Sequence, residues 1–217
     1  MALALFDLDN TLLADDSDYL WGQYLIEHGL VDGEYYEREN KRFLELYKQG
    51  KLDIFEFAAF AYKPLADNPI EKLQALHRQF MQEKIRPIIT DKSRELVARH
   101  KAEGDTLVII TATNAFVTSP IAEEFGIEHL IATNPEMNDG RYTGKIAGTP
   151  CYQEGKVTRL KEWMLAHKIQ SDDCWFYSDS NNDLPLLNIV NRPVAVDPDD
   201  KLRTVATEKN WPIISLR

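Results

Sequence analysis

Two aspartates, Asp7 and Asp9, stand two residues apart in the stretch FDLDNTLL. The apolar residues directly before them, Leu3–Phe6, are typical of a buried strand in a parallel sheet. Because carboxylates at the end of a buried strand lose hydration, they cost free energy unless a cation compensates their charge. The sequence therefore predicts a metal site at the end of this strand.

Three further stretches carry polar side chains at the boundaries of predicted strands or helices. Thr111 ends the run VIIT, Lys156 opens the helical pattern GKVTRLKEW, and YSDSNNDL supplies Asp179, Asn182 and Asp183. Since the carboxyl ends of parallel strands share one edge of a sheet, we expect these stretches to meet the first one there. Several carboxylates at one edge repel one another, and Mg²⁺, a hard cation with oxygen ligands, would relieve the repulsion.

The lysine and the hydroxyl beside these carboxylates predict a phosphate site. A cation and Lys156 can neutralise phosphoryl oxygens, Thr111 can donate a hydrogen bond, and a helix beginning near Asn114 can direct backbone N–H groups at an anion. A remaining carboxylate is then free to act as the nucleophile. Each feature alone has a simpler explanation, such as a helix cap or a solvated side chain, so the hypothesis depends on all four stretches together.

Five apolar runs, most of them separated by segments of helical periodicity, predict an α/β fold with a Rossmann-like doubly wound parallel sheet. After the first run, roughly 70 residues pass before the alternation resumes, which is far more than one crossover helix needs. We therefore predict a helical cap inserted at residues 15–84, with a core formed by residues 1–14 and 85–217. The five runs are Leu3–Phe6, Thr106–Ile110, Leu130–Ala132, Cys174–Tyr177 and Val194–Val196.

The predicted cap shows a helical pattern of apolar residues. Its apolar residues recur at spacings of three and four, which indicates several amphipathic helices, interrupted at Pro64 and Pro69. We expect its aromatic residues to form a small hydrophobic core and not a cofactor site. Farther along the chain, the Asp-Gly pair within residues 138–140 predicts a short hairpin that projects from the sheet.

Charge and composition argue against several classes of function. The 217-residue chain has a formal net charge of −10, whereas surfaces that bind nucleic acid or anionic membranes carry clustered Lys and Arg. Cys151 and Cys174 lack metal-ligand spacing and are expected to be reduced thiols. The N-terminal residues show no signal-like segment. We expect a cytoplasmic protein without nucleic-acid or membrane partners, whose oligomeric state the sequence does not reveal.

In order and spacing, FDLDNTLL, VIIT, Lys156 and SDSNND match the four motifs of the haloacid dehalogenase-like hydrolase superfamily, which the sequence resembles over nearly its whole length. The position of the insertion and the stretch CYQEGKVTRL resemble the phosphoserine-phosphatase-like branch. Within that branch, HRQFMQE, DGRYTG and WPIISLR are similar to bacterial histidinol-phosphate phosphatases. The resemblance implies a Mg²⁺-dependent phosphatase that acts on a small phosphate ester.

The resemblance also implies a role for each motif residue. Asp7 would attack phosphorus and form an aspartyl-phosphate, while Asp9 would protonate the leaving alkoxide and then deprotonate the hydrolytic water. The metal would be held by Asp7, Asp9 through its backbone carbonyl, and Asp179, with Asp183 in support. The phosphoryl group would be bound by Thr111, Ala112, Lys156 and Asn182.

Asp16, in the acidic stretch ADDSDYLW, is a candidate for substrate recognition. It can cap the helix that follows, and it also stands where phosphoserine-acting relatives place a glutamate that contacts the substrate ammonium. The two roles can coexist. The resemblance thus favours a small amine-bearing phosphate ester, with histidinol phosphate as the expected substrate and phosphoserine as the alternative. No cap cation is selected by spacing as a partner for a substrate carboxylate, which slightly disfavours phosphoserine.

Two other functions remain open from the sequence. A phosphoryl mutase of the same family would retain phosphate on its product instead of releasing it. A non-catalytic phospholigand-binding protein would share the fold, but a binder needs no proton-transfer acid such as Asp9. Measurement of inorganic phosphate release separates these hypotheses.

Overall fold

A seven-stranded sheet forms the centre of the computed structural model, which describes residues 2–170 and 172–217. Met1 and Ser171, which fall within the predicted core ranges, lie outside the described residues. The strands are β1 (Leu3–Phe6), β2 (Thr106–Asn114), β3 (His129–Asn138), β4 (Arg141–Ala147), β5 (Cys174–Ser178), β6 (Arg192–Val196) and β7 (Ile213–Ile214).

Helices precede, connect or cover these strands throughout the described ranges. They are α1 (Ser17–Glu27), α2 (Gly33–Gln49), α3 (Ile54–Ala61), α4 (Lys63–Asp67), α5 (Ile70–Phe80), α6 (Asp91–Ala102), α7 (Ala115–Phe125), α8 (Glu154–Ala166), α9 (Leu184–Leu187) and α10 (Asp200–Glu208). Short helical turns also occur at Leu8–Leu12, Met81–Ile85, Arg86–Ile88 and Asn181–Asp183.

The sheet order, β4-β3-β2-β1-β5-β6-β7, is that of a doubly wound fold. β1 lies in the middle and pairs in parallel with β2 and β5, so that Phe6 stands opposite both Ile109 and Tyr177. Because the chain moves first to one side of β1 and then to the other, the carboxyl end of β1 is a switch point, where α/β proteins bind ligands. The predicted Rossmann-like α/β core is confirmed.

Alternate residues of β1 face two hydrophobic cores. Ala4 and Phe6 belong to a cluster that includes side chains of α1, α6 and α7. Leu3 and Leu5 belong to a second cluster with side chains of α8, α9 and α10. Because helices cover both faces of the sheet, all four residues of β1 are apolar, and no polar residues alternate with them.

All five strands predicted from the sequence are present, and four of them are longer than predicted, with the largest extensions in β2 and β3. β2 continues to Asn114, since the Thr-Ala-Thr segment after Ile110 still reaches β3 through the pair of Asn114 and Thr133. β3 continues into the predicted hairpin with β4, whose turn residues Asp139 and Gly140 have φ of 48° and 76°. Strand β7, only two residues long, was too short for a sequence pattern to indicate.

The predicted insertion is helical, from α1 to α5. A small core around Ala58, Tyr62 and Leu65 packs against the projecting hairpin through Tyr142 and Ile146. Other cap side chains, described below, join the main core of the sheet. The extent of the cap as a separate domain, residues 15–84, stays a prediction. Within residues 2–170 and 172–217, no helix combines the length and the apolar composition that crossing a membrane requires.

Candidate active site

Asp7 and Asp9 lie just beyond β1, where the strand ends and a tight turn begins. The backbone N–H of Asp7 donates to the carbonyl of Tyr177 at 2.9 Å and so continues the β1–β5 pairing by one residue. The chain then reverses, with Asn10 at a φ of 55°, a left-handed conformation that asparagine tolerates better than most residues. The carboxylate of Asp7 is therefore held by the sheet, and that of Asp9 by the turn.

Lys156 forms a buried ion pair with two carboxylates. Its Nζ atom lies 2.9 Å from Oδ1 of Asp7 and 2.7 Å from Oδ1 of Asp183. Burial alone would lower the pKa of Lys156, but the charges of Asp183 and Asp7 outweigh it and raise the pKa. Burial raises the pKa of Asp7 to about 7, although Lys156 opposes this shift. Lys156 is thus protonated and can contribute positive charge beside Asp7.

Gly155 allows Lys156 to reach this position. A Cβ atom added at Gly155 would lie 2.0 Å from the carbonyl oxygen of Pro150, a distance that no side chain tolerates. In addition, the backbone N–H of Gly155 donates to the carbonyl of Tyr152 at 2.8 Å. The start of α8 therefore packs directly against the preceding loop.

Asp9 is held by hydrogen bonds, and among the described residues it forms no ion pair with Lys, Arg or His. Its Oδ1 accepts from the backbone N–H of Ser17 at 2.7 Å, and its Oδ2 accepts from the hydroxyl of Thr113 at 2.8 Å. Burial raises the pKa of Asp9, and these hydrogen bonds oppose the shift. A carboxyl group with a raised pKa and a fixed orientation is suited to donate and accept a proton.

Asp179 contributes a third carboxylate from the end of β5. The hydroxyl of Thr11 donates to its Oδ1 at 3.0 Å and accepts from its backbone N–H at 3.0 Å. Burial raises the pKa of Asp179 well above its usual value, and the charges of Asp7 and Asp183 raise it further. Asp179 repels Asp7 and Asp183, whereas Lys156 forms ion pairs with Asp7 and Asp183. A hard divalent cation with oxygen ligands fits here, because it would relieve the remaining repulsion.

A cavity of about 60 Å³ lies between these carboxylates and the cap. Of the site residues predicted from the sequence, Asp7, Asp9, Asp16, Thr111, Ala112 and Asp179 line it. Lys156 and Asp183 stand behind Asp7, and Asp183 accepts a second hydrogen bond from the hydroxyl of Ser178 at 2.6 Å. The structure therefore brings eight of the nine predicted residues together.

Asn182, predicted to bind phosphate, is not brought to the cavity. Its Nδ2 donates to the backbone carbonyl of Tyr47 in the cap at 2.9 Å. Its Oδ1 accepts from the hydroxyl of Tyr152 and from Nε2 of Gln153, each at 3.2 Å. The amide is directed to the end of α2 because those polar groups surround it, so in this structure Asn182 joins cap and core.

Asp16 combines two features expected of it. Its Oδ1 accepts from the backbone N–H of Tyr19 at 2.9 Å, which makes it the N-cap of α1, and the same residue lines the cavity. Burial and the charges of Asp9 and Asp18 raise its pKa well above the usual value. The capping role is therefore observed, and the recognition role stays a proposal.

Several contributors to the site were missed at the level of sequence. Thr113 orients Asp9, and Thr11 orients Asp179. The sequence held a usable signal for Thr113, because it is two residues from Thr111 and so points to the same face of β2. The cap aromatics Phe43 and Tyr47 were expected to serve only as core, yet they also line the cavity.

The chain is similar in sequence to known hydrolases and phosphatases. A model of the haloacid dehalogenase-like hydrolase family matches residues 4–188. A histidinol-phosphatase of Neisseria meningitidis serogroup C (strain 8013) is 47% identical, with 99% of each chain aligned. A phosphoserine phosphatase of Mycobacterium tuberculosis is 32% identical over 100% of this chain and 71% of its own length.

Solved structures show the same fold. The crystal structure of a protein of unknown function from Bordetella pertussis Tohama I superposes with a TM-score of 0.94 at 44% identity, covering 100% of this chain and 99% of the other. A phospho-aspartyl intermediate analogue of phosphoserine phosphatase superposes with a TM-score of 0.72 at 20% identity, covering 100% of this chain and 93% of the other.

Proposed function

The chain belongs to the haloacid dehalogenase-like hydrolase family and is a phosphatase, and from this premise we propose that it hydrolyses a small amine-bearing phosphomonoester through an aspartyl-phosphate on Asp7. The observation that carries the proposal is the contrast between the two carboxylates after β1. Asp7 forms an ion pair with Lys156, whereas Asp9 accepts hydrogen bonds from the backbone N–H of Ser17 and the hydroxyl of Thr113. Environments that separate two carboxylates in this way assign one as nucleophile and the other as acid and base.

In the first step, a carboxylate oxygen of Asp7 attacks phosphorus, and the bond from phosphorus to the ester oxygen breaks. Asp9 gives its proton to the departing alkoxide, which leaves as an alcohol. Water then attacks phosphorus, gives a proton to Asp9 and displaces the Asp7 carboxylate, so that inorganic phosphate is released. Lys156, the Thr111 hydroxyl and the backbone at Ala112 would stabilise the phosphoryl oxygens.

Mg²⁺ is the proposed cofactor, held by Asp7, Asp179 and the backbone carbonyl of Asp9, with Asp183 in support through Lys156. When bound, it would neutralise charge on the phosphoryl oxygens and favour the ionised form of Asp7. The donor set consists of oxygen atoms, as this ion prefers.

Histidinol phosphate is the substrate that we propose, with Asp16 as a contact for its ammonium group. The histidinol-phosphatase that is 47% identical along the full chain supports this choice, which would place the reaction in histidine biosynthesis. Phosphoserine is the alternative, supported by the phosphoserine phosphatase at 32% identity. The cytoplasmic location expected from the sequence stays a prediction.

The test is release of inorganic phosphate from a panel of phosphomonoesters, with Mg²⁺ and again with a chelator. We expect metal-dependent hydrolysis with a preference for histidinol phosphate. Asp7→Asn should lower kcat at least about 1,000-fold, because an amide is a poor nucleophile for phosphorus.

Asp15→Asn is the matched control. Asp15 is exposed, and its substitution removes a carboxylate charge outside the cavity. Hydrolysis by Asp7→Asn at the wild-type rate would exclude the mechanism. Binding of esters by the wild-type protein without any phosphate release would favour the non-catalytic alternative instead.

A further inference from the structure

Asp18 is a carboxylate in the cavity that neither the sequence motifs nor the proposed mechanism uses. It lies one residue into α1 and lines the cavity beside Asp16. Its Oδ1 accepts a hydrogen bond from Nδ2 of Asn114 at 3.2 Å. No ion pair with a Lys, Arg or His is formed by Asp18 or Asp16 in the part of the chain that the structure describes.

Asn114 holds Asp18 in place relative to the catalytic end of the sheet. Asn114 is the last residue of β2 and the N-cap of α7, where its Oδ1 accepts from the backbone N–H of Val117 at 3.1 Å. Its amide therefore has one end fixed by α7 and the other end directed at Asp18. The carboxylate is thus tied to the strand that carries Thr111 and Thr113.

Apart from Asn40, the remaining cap side of the cavity is apolar and aromatic. Among the described residues that line the cavity, none is Lys, Arg or His, so the positive charge of the site is confined to Lys156 behind Asp7. Burial and the charge of Asp9 raise the pKa of Asp18 to about 7, as expected for a carboxylate that lacks a cationic partner. The apolar and aromatic lining residues are Tyr19, Phe43, Leu44, Tyr47, Leu52, Ile54 and Phe57.

We propose that Asp18, oriented by Asn114, is a specificity residue that binds the cationic group of the substrate and excludes phosphate esters that carry a carboxylate. This inference rests on the proposed function and deepens it. A substrate ammonium or imidazolium would donate a charge-assisted hydrogen bond to Asp18, whereas a substrate carboxylate would face two aspartates without a basic residue to receive it. The aromatic lining suits an organic group with an apolar or aromatic body.

Asp18 would also discriminate between different amine-bearing esters. Histidinol phosphate has an amine and an imidazole but no carboxylate, so apart from its phosphate it brings no negative charge to Asp16 and Asp18. Phosphoserine carries an amine and a carboxylate on the same carbon, and its carboxylate would enter the negative part of the cavity. The described lining thus favours phosphate esters of amino alcohols over those of amino acids.

The test compares three esters: histidinol phosphate with a cationic group, phenyl phosphate with an uncharged group, and phosphoglycolate with a carboxylate. For the wild-type protein, kcat/KM should fall in that order. In Asp18→Asn, the preference for histidinol phosphate over phenyl phosphate should shrink about tenfold to 100-fold, the range expected when a charge-assisted hydrogen bond is lost. The preference for phenyl phosphate over phosphoglycolate should also shrink.

Two further variants separate charge at this position from other effects. Asp15→Asn removes a charge three residues away, outside the cavity, and should leave both preferences unchanged. Asp18→Glu keeps the charge and should retain part of the preference for histidinol phosphate. Equal losses on all three esters in Asp18→Asn, or equal shifts in preference in Asp15→Asn, would overturn the proposal.

Calorimetric binding of the same esters to Asp7→Asn protein, with and without Asp18→Asn, tests selectivity without turnover. If the wild-type protein hydrolyses no ester while binding still prefers histidinol phosphate through Asp18, the proposed function fails and this inference stands. If hydrolysis occurs but neither rates nor affinities depend on Asp18 in an ester-specific way, the inference fails and the proposed function stands.

Discussion

Two of the contacts between the cap and the core differ in their chemistry. The first, which we term the aromatic joint, consists of Trp21, His77 and Phe80 from the cap and Phe116 from α7, with ring centroids 5.1 to 5.8 Å apart. The second, which we term the polar latch, consists of side chains of the core that donate to the four backbone carbonyls of residues 47–50.

The polar latch closes the C-terminal end of α2. The last carbonyls of a helix have no partner within the helix, and water or side chains must satisfy them. Here the core provides a donor for each of these carbonyls: Asn182 for residue 47, Asn181 for residue 48, Lys201 for residue 49 and Gln153 for residue 50. Gln153 occupies a φ of 49° and ψ of −120°, a costly conformation that the surrounding contacts maintain.

The two contacts differ in what opening would cost. Separating the aromatic joint would expose large apolar surfaces, whereas each hydrogen bond of the latch can be exchanged for one to water at a net cost of only about 0.5–1.5 kcal/mol. The cavity, at about 60 Å³, is smaller than the roughly 300–1,000 Å³ typical of ligand pockets. We therefore expect the latch to part and the joint to stay packed when an ester enters.

The largest effect is expected at the aromatic joint. Phe80→Ala should lower the free energy of unfolding by about 3–5 kcal/mol, because the ring is fully buried and its removal leaves a cavity. Urea denaturation measures this loss. Phe55→Ala is the control, since Phe55 is an exposed cap aromatic and should change stability by less than about 0.5 kcal/mol. Similar losses for both variants would mean that the joint is not a fixed contact.

A smaller effect on stability is expected at the polar latch. Asn182→Ala should cost about 1 kcal/mol of unfolding free energy, make the cap more sensitive to limited proteolysis and raise KM, because the closed cap loses a hydrogen bond. Inhibition by inorganic phosphate should change little, since Asn182 does not line the cavity. Asn188→Ala, which alters an exposed asparagine bonded to Lys209, serves as the control.

The inhibition measurement decides between the two roles of Asn182. A tenfold or greater loss of phosphate inhibition, without a change in proteolysis, would support the phosphate contact expected from the sequence and contradict the latch. An unchanged inhibition constant with faster cleavage of the cap would support the contact with Tyr47.

The stability of the aromatic joint should also depend on pH. Burial lowers the pKa of His77, whose Nε2 lies 2.9 Å from the carbonyl oxygen of Val117. Because the folded pKa lies below the unfolded value of about 6.5, His77 contributes stability that is present above that pH and lost as the pH falls. Between pH 6.5 and 5, unfolding free energy should fall more steeply in the wild type than in His77→Gln, by at most about 1.4 kcal/mol per pH unit. Parallel slopes would contradict this.

The sequence predicted the site best for residues that directly follow a recognisable apolar strand. Asp7 and Asp179 each follow an apolar strand, so a rule about parallel strands was enough to predict that their carboxylates meet at one sheet edge. Asn182 also follows an apolar strand, β5, but it does not line the cavity. Its amide has competing partners on the cap, and nothing in the local sequence ranks them.

The sequence by itself determined the parallel sheet, the helical insertion after β1 and the edge at which the motif carboxylates gather, because periodicity and motif order are properties of short segments. Only the tertiary structure decided that Thr113 orients Asp9, that Asn182 binds the cap and that Asn114 orients Asp18. Those contacts join residues 104, 135 and 96 positions apart, and they depend on how packed elements approach each other. Pairings at such separations are set by the packing of the cap against the core, which no local pattern records.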